Sequence, residues 1–294
     1  MNRISLFLVI YSLIFFNSCK KDNDDDMDNS PAPVEKMLNF RFQFDPNQVR
    51  LNSFGETAVM PDGHAAQSPE FQQISANYIE LCPSNITQLG EGEVLFSAPT
   101  TEEGGAVAIN FNQSILVAAG ELFISIPLSA ISPGDYPFLR ISLSYQKYTV
   151  DFLFQGNDLE GTLASFIGYN SFIGNYQINE EIVEVNSNKL QGYWGFESLG
   201  VVTEGQAPEG ATTVVNPLFQ TSQVPAGSCV VTGEFASALN ITGNETEDIN
   251  VTVSLSTNQS FEWQEINSDG KFEPGAGEQV VDMGIRGMIP SVDE

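Results

Sequence analysis

Across 294 residues the chain sets 38 acidic side chains against 11 basic ones, a formal net charge of −27. Such a field repels phosphate backbones and offers no basic patch, which excludes nucleic acid as a partner and leaves cations, basic proteins and neutral glycans. Hydrophobic residues at 41%, including 21 Phe, are enough for a packed core and exclude a disordered acidic chain.

The chain opens with Asn2 and Arg3, then an apolar run from Ile4 to Phe16. That run is shorter than the roughly 20 residues a spanning helix needs and suits the core of a secretory signal. It leads through Phe16-Asn17-Ser18 to Cys19, and Lys20-Lys21-Asp22-Asn23-Asp24-Asp25-Asp26 follows. This order resembles the signal of a bacterial lipoprotein, and the acidic cluster resembles the surface-export signal of Bacteroidota lipoproteins. The resemblance implies that residues 1–18 are a signal peptide and that Cys19 carries lipid. It implies an outer-membrane protein held at the cell surface, with the membrane as a partner through the anchor. Each buried CH₂ of an acyl chain is worth about 0.8 kcal/mol, so several chains hold a soluble domain firmly. Residues 19–37 then read as the lipidated cysteine and an acidic tether with Ser30-Pro31-Ala32-Pro33, too charged to fold.

From Leu38 the pattern changes to period two. Leu38, Phe40, Phe42 and Phe44 alternate with polar residues, as do Leu122, Ile124, Ile126 and Leu128. Leu139, Ile141, Leu143 and Tyr145 alternate with Arg140, Ser142 and Ser144; Ile249, Val251, Val253 and Leu255 alternate with Asn250, Thr252 and Ser254. Each predicts a strand with one buried and one wet face. The apolar phase slips after Tyr145 to Val150, Phe152 and Phe154, which predicts a turn or bulge near Gln146–Lys147. Pro61-Asp62-Gly63 and Ser132-Pro133-Gly134-Asp135 are turn signals. In the second, Gly134 is expected to supply the turn conformation and Tyr136 to cap the core edge, a corner that resembles one common in β-sandwich lipoproteins.

Helical signal is confined to Ser68-Pro69-Glu70, which could cap one short turn, and Gly161–Tyr176 reads as a hairpin or irregular stretch. The fold class is therefore all-β, an antiparallel β-sandwich with minimal helix, either one enlarged sandwich or two small ones. Residues 38–200 form the first part. Residues 201–217, acidic with Gly and Pro, are the candidate seam, and 218–294 are expected to complete the same sandwich.

Cys82 and Cys229 are the two cysteines of the domain. In an oxidising compartment they are expected to pair, closing a loop whose entropy is worth about 4–5 kcal/mol at most. Two buried thiols are the alternative. Strand alternation sends Cys82 to the face of Tyr78 and Glu80, away from Ile79 and Leu81, and Pro83 ends the strand.

The stretch Glu265-Ile266-Asn267-Ser268-Asp269-Gly270-Lys271-Phe272-Glu273 matches the opening of a calcium loop. Oxygen donors alternate at Glu265, Asn267 and Asp269, a Gly permits the sharp turn, and Glu273 follows; calcium takes six to eight oxygens. Ala276 stands at the twelfth position, so Glu278 would have to serve. The competing reading is an acidic turn between two strands. His64, the sole histidine, sits in Pro61-Asp62-Gly63-His64 and reads as a solvated loop residue, which removes multi-histidine zinc sites.

Three function classes follow. The first is a non-enzymatic surface protein that binds a protein partner or an ion, calcium being the candidate cofactor. The second is a glycan-binding module of a polysaccharide-capture system, with Tyr193, Trp194 and Trp263 as stacking candidates. The third is a carboxylate-pair glycoside hydrolase, for which sequence spacing designates no catalytic residue. General strand order and secretion also give a likeness to the copper-handling β-sandwich lipoproteins of the methanobactin-associated type.

Overall fold

The computed structural model of the chain describes residues 35–51, 56–207 and 230–293, with the side chains of 185–188 left aside. The strands in order are β1 Met37–Asp45, β2 His64–Gln67, β3 Glu70–Cys82, β4 Glu93–Ser97, β5 Thr100–Thr101, β6 Ala108–Asn110, β7 Leu122–Pro127, β8 Gly134–Phe154 and β9 Asn157–Phe166. There follow β10 Ser171–Ile178, β11 Glu181–Leu190, β12 Tyr193–Ser198, β13 Val201–Gln206, β14 Val231–Ile241, β15 Ile249–Ser256, β16 Phe261–Gln264, β17 Val280–Met283 and β18 Met288–Val292. No helix among the described residues reaches seven residues, so the all-β class holds.

β8 is the spine of the main seven-stranded sheet, ordered β13-β12-β9-β8-β3-β4. β3 pairs along one edge of β8. The other edge is shared, with β14 opposite residues 134–141 and β9 opposite residues 145–154. A second sheet is ordered β18-β15-β1-β7, a third β11-β10-β6-β5 and a fourth β17-β16-β2. Most pairs are antiparallel; β1–β15 and β6–β10 are parallel.

The sheets lie in layers. Leu163 and Ala164 are consecutive on β9, so their side chains leave on opposite faces. Leu163 joins a cluster with Tyr148, Phe261 and Trp263, while Ala164 joins one with Tyr145, Phe166, Phe172 and Tyr176. The fourth sheet thus covers one face of the main sheet and the third sheet covers the other. The largest core, between the main and second sheets, contains Leu38, Phe40, Phe42, Ile79, Ile141, Val251 and Val253. It meets the Trp263 cluster through Phe44, Phe71 and Tyr148, whose rings lie 5.4 and 4.7 Å apart in turn. Strands beyond residue 230 pair with β1 and β8, so both parts of the chain build one compact unit.

Several expectations need correction. The supposedly wet face of β8 is buried: Arg140, Ser142 and Ser144 are all 0% exposed. Coverage comes from distant chain, since Glu80 and Arg140 hold the 83–92 loop from beneath. The Glu80 carboxylate accepts the N–H groups of Gly90 (3.0 Å) and Gly92 (2.8 Å), and Arg140 donates to the Asn85 carbonyl (3.1 Å). Of the turn or bulge expected near Gln146–Lys147, β8 makes no turn; an irregularity is present, as a register shift against β3 at Phe71–Gln73, opposite Tyr148 and Lys147, followed by further shifts at Ser75–Tyr78. In β7, Ile124 and Ile126 pack against the main core as expected and Leu128 is buried beyond the strand, but Phe123 is buried and Leu122 exposed, because the pairing with β1 also shifts at Phe40–Arg41. Ser68-Pro69-Glu70 begins a strand instead of a helical turn, since Glu70 already pairs with Thr149. Gly161–Tyr176 is no hairpin: β9 and β10 belong to different sheets. Gly134 opens β8 outside the left-handed region, and the corner is held by the Tyr136 hydroxyl donating to the Ser132 carbonyl (2.7 Å). Within the candidate seam, Val201–Gln206 is β13, hydrogen-bonded to β12 along its length; 208–217 lie outside the described residues.

Candidate functional site

At one end of the main sheet two hairpins turn side by side. β8 and β9 join through Gln155-Gly156, with Phe154 opposite Asn157; β12 and β13 join through Leu199-Gly200, with Ser198 opposite Val201. All four loop residues have positive φ, the two-residue geometry whose twist suits a hairpin. Asn and Gly normally fill such positions. Leu199 (φ +53°) instead holds a large apolar side chain 81% exposed, and Val201 is 64% exposed beside it. Backbone strain and exposed apolar surface thus coincide at this turn.

Behind these tips a groove of about 720 Å³ opens between the main sheet and the β16–β17 end of the chain. One wall carries Phe152, Phe154, Trp194 and Phe196. The facing wall is formed by Phe261, Phe272 and the 278–283 segment. Alternation places these rings. On β12, Tyr193, Gly195 and Glu197 are buried, while Trp194, Phe196 and Ser198 take the groove side. Two glycines set the depth of the wall. A Cβ on Gly161 would come 2.1 Å from the Phe196 ring, and one on Gly205 would come 2.5 Å from the Trp194 indole. Both rings therefore lie close over bare backbone. Phe152 meets Phe196 edge-on at 5.5 Å, and Phe272 meets Phe261 edge-on at 5.2 Å. Phe154, 45% exposed, forms the lip.

The segment read as a calcium loop shapes the facing wall. Glu278 is 5% exposed, and its carboxylate accepts the N–H groups of Ile266 (3.0 Å) and Glu273 (2.7 Å). Glu265 accepts from the Ser268 N–H (2.8 Å) and the Trp263 indole (3.3 Å); Asp269 accepts from the Lys271 N–H (2.9 Å); Asn267 donates to Glu273. All five residues belong to one loop: Glu265, Asp269 and Glu278 hold its backbone N–H groups, and Glu273 takes the Asn267 side-chain amide. No group of three or more His, Cys, Asp or Glu side chains converges as a metal site among the described residues.

Beside the groove lies a charged network. Glu262 is 3% exposed and accepts from Arg50 (2.7 Å), Arg286 (3.0 Å) and His64 Nδ1 (2.6 Å). Burial pushes its carboxyl up, but the hydrogen bonds from His64 and Arg50 and the charges of both arginines outweigh that and hold it below the ordinary glutamate value. Asp282 stands opposite Glu262 in register and binds the other arm of Arg286 (2.8 Å). Its carboxyl is raised, first by loss of water and further by the Glu262 charge, against the lowering effect of Arg286. Two carboxylates with values driven apart are the signature of an acid–base pair. Here Glu262 is enclosed by two arginines and the His64 ring and presents no open oxygen to a substrate. His64, expected in solvent, opens β2 with its side chain 25% exposed and bound to Glu262.

Of the stacking candidates, Trp263 (1% exposed) and Tyr193 (7%) are core residues and only Trp194 faces the groove. Cys82 is a free thiol buried on the face of Tyr78 and Glu80, the alternative to the expected disulfide; Cys19 and Cys229 lie outside the described residues. Sequence reasoning missed the groove itself. The signal was there in Phe152 and Phe154 running up to a turn, in the apolar Leu199, and in Val201–Val202 within the stretch read as a seam. Comparison with protein-family models, with curated proteins and with solved structures finds no match.

Proposed function

We propose that this chain is a lipid-anchored cell-surface binding protein whose aromatic groove captures a small, apolar, ring-bearing molecule. The observation that carries the reading is the groove: about 720 Å³, walled by Phe152, Trp194, Phe196 and Phe272, with an exposed leucine held at its rim. Sites for small molecules are concavities of roughly 300–1,000 Å³, mostly apolar with few polar groups. Glycans fit less well, because sugars need many hydrogen-bonding partners and few line this surface.

The course of β1 supports display. Described chain enters the domain at residues 35–37, and β1 runs about 27 Å from there at 3.3 Å per residue. β15 runs parallel to it, and at the far end Thr257 N–H bonds the Asp45 carbonyl just before Phe261 reaches the groove wall. The groove wall thus lies about one strand length from the point where the described chain enters the domain.

The test is uptake of the neutral dye N-phenyl-1-naphthylamine, which fluoresces in apolar surroundings. Saturable one-site binding is expected, weakened about tenfold by Trp194→Ala as one buried aromatic contact is lost. Absence of saturable uptake, or full affinity in both Trp194→Ala and Phe154→Ala, overturns the groove as the site. For the anchor, Cys19→Ala should abolish lipid labelling and release the domain from membranes. Unchanged membrane partition of that variant would refute it.

A further inference from the structure

The polar groups that line the groove are as selective as its rings. Its only charged lining residues, among those described, are Glu278 and Asp282; no lysine, arginine or histidine joins them. Glu278 has both carboxylate oxygens committed to the N–H groups of Ile266 and Glu273. Lys271, next to the groove-lining Phe272, is paired with Asp158 (2.6 Å). Asp282 differs. Its side chain is 38% exposed, and its carboxylate shares its one salt-bridge partner, Arg286, with Glu262. Glu262 also holds Arg50 and His64, so Asp282 is the under-compensated member of the network.

We infer that the groove takes a lipophilic organic cation, its ring-bearing body between the aromatic walls and its ammonium group against Asp282. The inference rests on the groove being the binding site and names the class of ligand. Charge complementarity carries it. Aromatic rings such as Phe152, Trp194, Phe196 and Phe272 in the lining carry negative π-density on their faces, which attracts cations and is indifferent or repulsive to anions. An anionic amphiphile would find no cation in the lining and would bring its head toward Asp282. The chain's net charge of −27 raises the local concentration of cations at the same surface.

The experiment displaces N-phenyl-1-naphthylamine from the purified full chain with three competitors that share one ring: 1-naphthylmethylamine, 1-naphthalenemethanol and 1-naphthaleneacetate. The amine is expected to compete at about one-tenth the concentration of the alcohol, the advantage of one charge-assisted hydrogen bond, and the acetate to be the weakest. Asp282→Asn should bring the amine to the level of the alcohol measured in the same variant; Trp194→Ala should weaken all three alike. Equal competition by the three heads in the wild type overturns the cation assignment, and that ranking requires no variant to fold. An amine advantage that survives in Asp282→Asn and vanishes in high salt also overturns it, since the general field would then be its source. In both cases saturable dye uptake still stands and the groove reading with it. Failure of the dye itself to bind removes the groove reading and this inference together.

Discussion

Glu80 and Arg140 stand opposite each other in the register of β3 and β8, both 0% exposed, with carboxylate and guanidinium 3.6 Å apart. Because the carboxylate also holds the Gly90 and Gly92 N–H groups, the pair ties the 83–92 loop to the sheet. Removing one partner of a buried pair leaves an uncompensated charge and typically costs about 3–5 kcal/mol. Arg140→Met should therefore lower the urea midpoint sharply. The double variant Arg140→Met with Glu80→Gln should recover part of the loss, because a neutral amide oxygen still serves the two glycine N–H groups. A double variant no more stable than the single one would show that the charge pair is not what the site depends on.

Cys82 lies beside the same carboxylate. Burial, then the Glu80 charge, push its thiol up to about 12. Thiolate is the reactive form, so native protein at pH 8 should not consume alkylating reagent at this position. Alkylation of the folded state therefore cannot tell a free thiol from a disulfide. The informative measurement is mass analysis after unfolding in urea without reductant. The pairing expected from the sequence requires Cys82 linked to Cys229 and no alkylated cysteine at either position, whereas the free thiol of this structure requires alkylation at Cys82. Two alkylated thiols would refute the pairing.

How far this fold was legible depends on the range of the interaction that sets each feature. Period-two alternation is local, and it located β1, β15 and the first half of β8 because Leu38, Val251 and Ile141 alternate with polar neighbours. Alternation does not report what covers the other face. Arg140, Ser142 and Ser144 read as wet because their cover is chain far away in sequence, down to the Asn85 carbonyl that Arg140 reaches 55 residues away. Nor does alternation report direction, so the parallel pairing of β1 with β15 was not visible. Phe123 was misplaced because a register shift at Phe40–Arg41 belongs to the pair of strands and to neither alone.

The site was less legible still. Phe152 and Phe154 were read as core because a ring in a groove wall and a ring in a core share one sequence pattern. Leu199-Gly200 escaped because Leu is an uncommon choice for a left-handed turn position. His64 looked solvated because its partner, Glu262, is 198 residues away.

Glu262 gives the fold a defined acid response. Its folded-state carboxyl lies below the ordinary glutamate value of about 4.3. The stabilisation its ionised form supplies is thus fully present above roughly pH 5, and it is lost as pH falls through the folded-state value. Asp282 acts in the opposite sense, since a raised carboxyl contributes stability at low pH that is lost as pH rises through its folded-state value. Comparing wild type with Glu262→Gln isolates the first effect. The variant should be less stable at pH 7, where Arg50 and Arg286 lose their shared anion. The two urea midpoints should converge as pH drops below 4. Curves that stay parallel across this range would mean that the Glu262 charge contributes nothing to the fold.

Glu278 decides between the two readings of the acidic loop. Its two oxygens accept the Ile266 and Glu273 N–H groups and so draw the two ends of the 266–273 turn together. Leaving such donors without their charged acceptor costs about 1–3 kcal/mol each where water cannot replace it, so Glu278→Ala should destabilise by about 2 kcal/mol. Phe272 rides on this turn, and its backbone carbonyl accepts the Leu153 N–H (2.8 Å), so the same variant should also weaken dye uptake in the groove. Calcium would need oxygens from the same residues, yet the loop's own N–H groups point at Glu265, Asp269 and Glu278 where a cation would stand. A true site would raise stability as RT ln(1 + [L]/Kd), about 2.7 kcal/mol at a hundredfold excess, and would respond far less to magnesium. With the donors so placed, calcium should shift the melting temperature no more than sodium chloride at matched ionic strength, which screens the chain's net charge of −27 equally. A calcium-specific shift that Asp269→Ala abolishes would reverse this, showing that the loop opens its hydrogen bonds to take the ion.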